Sequence, residues 1–140
     1  MIIYKTLDEI KKINKANEII IKLYSEVLPK YVKAGISTYE LDQITEDFIR
    51  SNGAIPGTKG YEIGKPYPAY PASLCTSVNN RVVHGIPTKT EILKNGDIIS
   101  LDTVTVLDGF YGDAAITLPV GEIEENAKKS WGEVESSYQR

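Results

Sequence analysis

Residues Asp97–Val120 read DIISLDTVTVLDGFYGDAAITLPV. Runs rich in β-branched and aromatic residues flank Asp108-Gly109, a dipeptide that favours a two-residue type I′ turn because both central positions take positive φ. The stretch therefore predicts a β-hairpin. With Leu107 opposite Phe110, cross-strand partners carry numbers that sum to 217, pairing Asp102 with Ala115 and Val104 with Asp113. Asp102 and Asp113 then share a face with Val106 and Tyr111, while Leu101, Thr103, Thr105, Phe110 and Ile116 point the other way.

In that register the two carboxylates are diagonal neighbours, roughly 7–8 Å apart at the backbone and closer at their oxygens. Ionised carboxylates on a half-buried strand are costly and two of them repel, which a cation between them relieves. A carboxylate pair can also span two metals about 3.5–4 Å apart. Two solvent-facing acids on an edge hairpin fit the same pattern, and strand pairing alone leaves both readings open.

Working outward, 140 residues with 41% apolar and 25% charged content suffice for one soluble domain with an ordinary core. A net charge of −3 with dispersed Lys and Arg provides no basic field for nucleic acid or anionic lipid. The start MIIYKTLDEIKK lacks the apolar core of a signal peptide or membrane span, so a cytoplasmic location is expected. Cys75 is the single cysteine, which excludes an internal disulfide and a thiolate metal cluster.

Thr6-Leu7-Asp8-Glu9 is a capping box opening a helix whose apolar stripe is Ile10, Ile13, Ile20, Leu23, Tyr24, Val27 and Leu28. Pro29 and Gly35 disturb or end it. Ser37-Thr38-Tyr39-Glu40 opens a second helix, with Leu41, Ile44, Phe48 and Ile49 inward and Gly53 as the stop. Core packing accounts for both helices.

Residues 54–72, broken by Pro56, Pro66, Pro68, Pro71 and several glycines, predict a long loop. Tyr61, Tyr67 and Tyr70 either pin this loop to the body or present flat apolar surface to a ligand. Ser73–Val78 and Arg81–His84 predict a second strand pair turned at Asn79-Asn80, with the His84 imidazole at a strand end. By residue type alone, a lone histidine is more often structural than catalytic. After the hairpin, Ala127, Trp131, Val134 and Tyr138 recur at helical spacing.

The segments SLCTSVNNRVVHGIP and LDTVTVLDGFYGDAAITLPVGEI together resemble methionine aminopeptidases of the bacterial type I class, in peptidase family M24. The ordered set carries the likeness: His-Gly-Ile-Pro eighteen positions before an Asp in an apolar strand, then Gly-Asp-Ala eleven positions after it. The resemblance runs to about Lys129 and fades over residues 130–140. It implies one truncated catalytic domain, 1–129 family-like with a divergent tail at 130–140. The fold class implied is α/β, the first half of a pita-bread fold with helices packed on an antiparallel sheet.

The same resemblance implies a metalloaminopeptidase that removes the N-terminal methionine from nascent proteins. Its centre would hold two divalent ions of Co, Mn, Fe or Zn. Asp102 and Asp113 are the implied metal ligands, and His84 contacts substrate and stabilises the tetrahedral species. Tyr67, Tyr70 and Cys75 fall where the family lines its methionine pocket, and Gly64 falls where some relatives have a cysteine. The family's remaining ligands, one His and two Glu, come from its second half, and no histidine follows His84. The isolated chain is therefore expected to be inactive, to self-associate, and to encounter nascent chains at the ribosome but no membrane or nucleic acid. Two other readings stay open, a metal-free binding module of the same fold and a structural fragment without activity.

Overall fold

A computed structural model describes residues 4–62 and 64–124 of the chain. The hairpin forms in the expected register: strands Ile98–Leu107 and Phe110–Pro119 pair antiparallel, with Leu107 opposite Phe110, Asp102 opposite Ala115 and Val104 opposite Asp113. Asp108 and Gly109 turn the chain at φ 51 and 79, as a type I′ turn requires. Two shorter strands complete the sheet, so in chain order we label Ile55–Pro56 β1, Cys75–Val78 β2, and the hairpin strands β3 and β4. β3 is the hub, with β4 along one side and β1 and β2 sharing the other.

Alternation along β3 divides the molecule. Ile99, Leu101, Thr103 and Thr105 are buried, whereas Ser100, Asp102, Val104 and Val106 keep partial exposure. The buried face is covered by helices. Helix α1, Leu7–Lys22, starts at the Thr6–Glu9 capping box and continues through a π-helical turn, Leu23–Val27, into the single turn α2, Leu28–Tyr31. Pro29 lacks an amide donor and its ring crowds the carbonyl one turn back, and just before it the Leu28 amide reaches five residues back to Leu23.

Helix α3, Thr38–Ser51, begins at the Ser37–Glu40 capping box and stops at Gly53, whose φ is 75. Together these elements bury Ile20, Leu23, Leu28, Leu41, Leu74, Ile99 and Leu101 in one cluster. At about 25 cal/mol per Å² of apolar surface, this shared burial is the main stabilising term. Tyr24 anchors the helix chemically, its hydroxyl lying 3.1 Å from the Leu101 carbonyl and 2.9 Å from that of Ala114.

Four expectations need correction or limitation. Ile10 is 42% exposed, and Ala16 and Ile19 take its place in the buried stripe of α1. The loop at 54–72 contains the two-residue strand β1. Residues 81–84 form no strand. The turn at Asn79-Asn80 forms as expected, with Asn79 at φ 54 and the Arg81 amide donating to the Val78 carbonyl at 3.1 Å, but His84 turns the chain again at φ 57 and it is Gly85 that bonds back to β2, accepting from the Thr76 amide. The helix expected around Ala127–Tyr138, and the tail at 130–140, lie outside the described residues.

Candidate active site

The half-exposed face of the hairpin floors a cleft of about 710 Å³, and Asp102, Val104, Tyr111 and Asp113 rise from that floor. Period-two alternation puts them there, because Asp102 and Val104 are even-numbered on β3 while Tyr111 and Asp113 are their odd-numbered neighbours on β4. Tyr67, Tyr70, Cys75 and His84 form the walls. All six residues singled out from the sequence therefore meet in one cavity, although they span 46 positions from Tyr67 to Asp113.

The loop above the floor is held by backbone contacts. Gly57 donates to the Val104 carbonyl at 2.7 Å, and the Thr58 hydroxyl accepts from the Val104 amide at 2.9 Å. A Cβ on Gly57 would stand 2.8 Å from a Val104 methyl, so glycine permits this approach. Further along, the Gly60 amide donates to Tyr70 and the Tyr70 amide to Tyr61, closing the loop on itself. The Tyr70 hydroxyl then donates to the Gly85 carbonyl at 2.8 Å. Tyr70 thus both pins the loop and lines the cavity, whereas Tyr61 and Tyr67 are 62% and 65% exposed.

His84 stands in a left-handed loop conformation, φ 57, rather than at a strand end. That conformation is uncommon for a residue other than glycine. The residue that follows His84 is fixed at both backbone polar atoms, because the Thr76 amide donates to the Gly85 carbonyl at 2.7 Å and the Gly85 amide donates to the Ser77 hydroxyl at 3.2 Å. A side chain at Gly85 would run into the Thr76 carbonyl.

Electrostatically the floor is under-compensated. Burial pushes the Asp102 carboxyl above the usual carboxylate range, the Asp113 charge adds to this, and His84 opposes it. Among the described residues neither carboxylate accepts a hydrogen bond or pairs with a Lys or Arg. Hard oxygen donors without a protein counter-charge suit a hard divalent cation. They fit such an ion in kind but supply few donors, since no group of three potential ligands occurs among the described residues. Cys75 is 5% exposed and burial pushes its thiol up, so it presents a neutral apolar wall.

Sequence reasoning overlooked the support behind these walls. Asp42 on α3 accepts from the amides of Ser73 at 2.8 Å and Leu74 at 2.9 Å, while Glu46 accepts from the Ser73 hydroxyl at 2.9 Å. The Thr103 hydroxyl donates to the Ser73 carbonyl at 2.7 Å, so Ser73 is gripped at three atoms just before Cys75. Glu46 also pairs with Lys59 of the cleft loop at 2.7 Å. A signal existed in the chain: Thr38, Asp42 and Thr45 follow a helical period and are all buried, a polar stripe that runs on into apolar Ile49.

Comparison with known proteins gives a consistent result. Residues 11–139 match the model of metallopeptidase family M24. The chain is 48% identical to methionine aminopeptidase 1 of Bacillus subtilis and 45% identical to the methionine aminopeptidase of Clostridium acetobutylicum, each over 92% of this chain and 49% of the relative. The crystal structure of methionine aminopeptidase from Thermotoga maritima superposes with a TM-score of 0.82 at 35% identity, covering 92% of this chain and 49% of that one. A prolidase from Pyrococcus furiosus, at 21% identity and a TM-score of 0.71, shares the fold. The helices on an antiparallel sheet are those of the pita-bread α/β fold. The chain spans about half the length of the curated relatives it matches.

Proposed function

This chain belongs to metallopeptidase family M24, and on that premise we propose that it forms the substrate cleft and part of the metal site of an aminopeptidase removing N-terminal methionine. The observation that carries this reading is the pair Asp102 and Asp113, unpaired with any described cation, at the floor of a cleft walled by Tyr67, Tyr70, Cys75 and His84. A metal-free binding module would have no use for such a pair, which costs stability unless a cation offsets it.

In this reading Asp102 and Asp113 hold divalent metal, two ions in the complete site, chosen from Co, Mn, Fe or Zn. Bound there, a divalent metal would supply Lewis-acid polarisation of a carbonyl and a water of lowered pKa. Cys75, Tyr67 and Tyr70 accept the unbranched apolar side chain of methionine, and Tyr70 keeps that wall in place through its bond to Gly85. His84, presented at the rim, donates a hydrogen bond to the oxygen on which negative charge develops, which is electrostatic stabilisation of the transition state. Substrates are nascent chains, encountered in the cytoplasm at the ribosome. Among the described residues no helix is long and apolar enough to cross a membrane.

In this reading Asp102 and Asp113 supply only part of the ligand set of the complete site, so the 140-residue polypeptide alone is expected to release no methionine from a Met-Ala-type peptide with added Mn²⁺ or Co²⁺. Joined to a family second half that supplies one His and two Glu, it gains activity, and Asp102→Asn abolishes that activity. Turnover in the joined enzyme that survives Asp102→Asn would refute the assignment.

A further inference from the structure

Helix α1 supplies no wall of the cleft, yet it touches β4 backbone to backbone directly beside Asp113. At Gly112 a Cβ would lie 2.7 Å from both the Ala16 carbonyl carbon and the Asn17 nitrogen, so only glycine allows the strand this close to the helix. Thr105, which faces Gly112 across the hairpin, donates its hydroxyl to the Ala16 carbonyl at 2.9 Å. One residue on, the Asn17 side-chain oxygen accepts from the Asp113 amide at 3.1 Å, while its nitrogen donates to the Ile13 carbonyl at 3.2 Å.

We propose that Asn17 is a positioning residue: it fixes the backbone of Asp113 on the outer strand and thereby aims that carboxylate at the cation in the cleft. This rests on reading Asp113 as a metal ligand. Three features support it. Among the described strands β4 pairs only with β3, so the Asp113 amide has no strand partner on its far side and Asn17 takes that place. Asparagine is a weaker helix former than alanine, and its bond back to the preceding turn competes with the helix, so helix stability does not explain it at this position. The Asn17 carboxamide meets the Asp113 main chain and is not among the cleft-lining residues, the arrangement of a group that orients a ligand without touching the metal.

The test uses the 140-residue chain in solution, followed by amide hydrogen exchange and by Mn²⁺-induced line broadening of the amides of residues 102 and 113. In Asn17→Ala the Asp113 amide should lose its protection selectively, and the Mn²⁺ midpoint should rise roughly tenfold, the usual scale for losing a ligand-orienting partner. The melting temperature should stay level or increase, because alanine favours the helix; a merely structural role predicts a drop in melting temperature and no change in Mn²⁺ midpoint. Asn17→Asp retains the acceptor and should keep the Asp113 amide protected. Either readout remaining at its wild-type value in Asn17→Ala, while Asp113→Asn is impaired, overturns this inference alone. An unchanged midpoint in Asp113→Asn overturns the ligand reading, and this inference with it.

Discussion

Glu46 shows how one side chain ties the cleft to the fold. Lys59 holds its carboxyl down to about 2, with Arg50 and Ser73 adding to the effect and burial opposing it. A carboxyl whose folded pKa is depressed contributes stability above its ordinary value near 4.5, and that contribution is lost as pH falls toward about 2. Glu46→Gln should therefore flatten the acid limb of the stability curve between those values, as followed by urea unfolding at several pH values. An acid limb identical to wild type would mean that the Lys59 contact does not persist in solution. For His84, the proposed role predicts that His84→Ala in the assembled enzyme lowers kcat roughly 10²–10³-fold, the range for one transition-state donor, with little effect on metal affinity.

Between elements, the buried carboxylate of Asp42 joins α3 to β2. Both amides, from Ser73 and Leu74, go to the same oxygen, Oδ1. Burial raises its pKa against the pull of these two donors. Asp42→Ala should cost about 1–3 kcal/mol for each stranded amide. Asp42→Asn keeps one acceptor oxygen and removes a buried charge, so thermal unfolding should place it close to wild type. If the two variants destabilise equally, the charge of Asp42 matters rather than its acceptor.

The same elements show what could be read from the chain. The hairpin register followed from Asp108-Gly109 and alternation alone, and both capping boxes located helix starts, because each of these signals is local and strong. The Asn79-Asn80 turn was equally local and forms, whereas the Arg81–His84 strand fails because His84 takes φ 57 and Gly85 bonds back to Thr76 and Ser77, a tertiary return that no local pattern announces. For the cleft, residue types and the family likeness pointed to the floor and walls, whereas Asp42, Glu46, Thr58 and Asn17 act through tertiary hydrogen bonds whose partners lie 13 to 96 positions distant.

For the whole molecule, the ten-residue strand β4 pairs only with β3 among the described strands. Tyr111 on its cleft-side face is 63% exposed, and Val82 and Val83, which precede His84 in the chain, are 83% and 60% exposed. Open strand edges and exposed apolar side chains promote association. Sedimentation should therefore show dimers or larger species at high concentration, and a clean monomer would mean that this edge is covered in solution.

If Asp102 and Asp113 together form a divalent cation site facing the cleft, as proposed, metal binding must depend on both carboxylates. Titration calorimetry of the 140-residue chain with Mn²⁺, set beside Asp113→Asn, tests it most directly. The native chain should bind Mn²⁺ weakly, and that binding should disappear in the variant. Identical isotherms for the two proteins, or no binding by either at millimolar Mn²⁺, would contradict it.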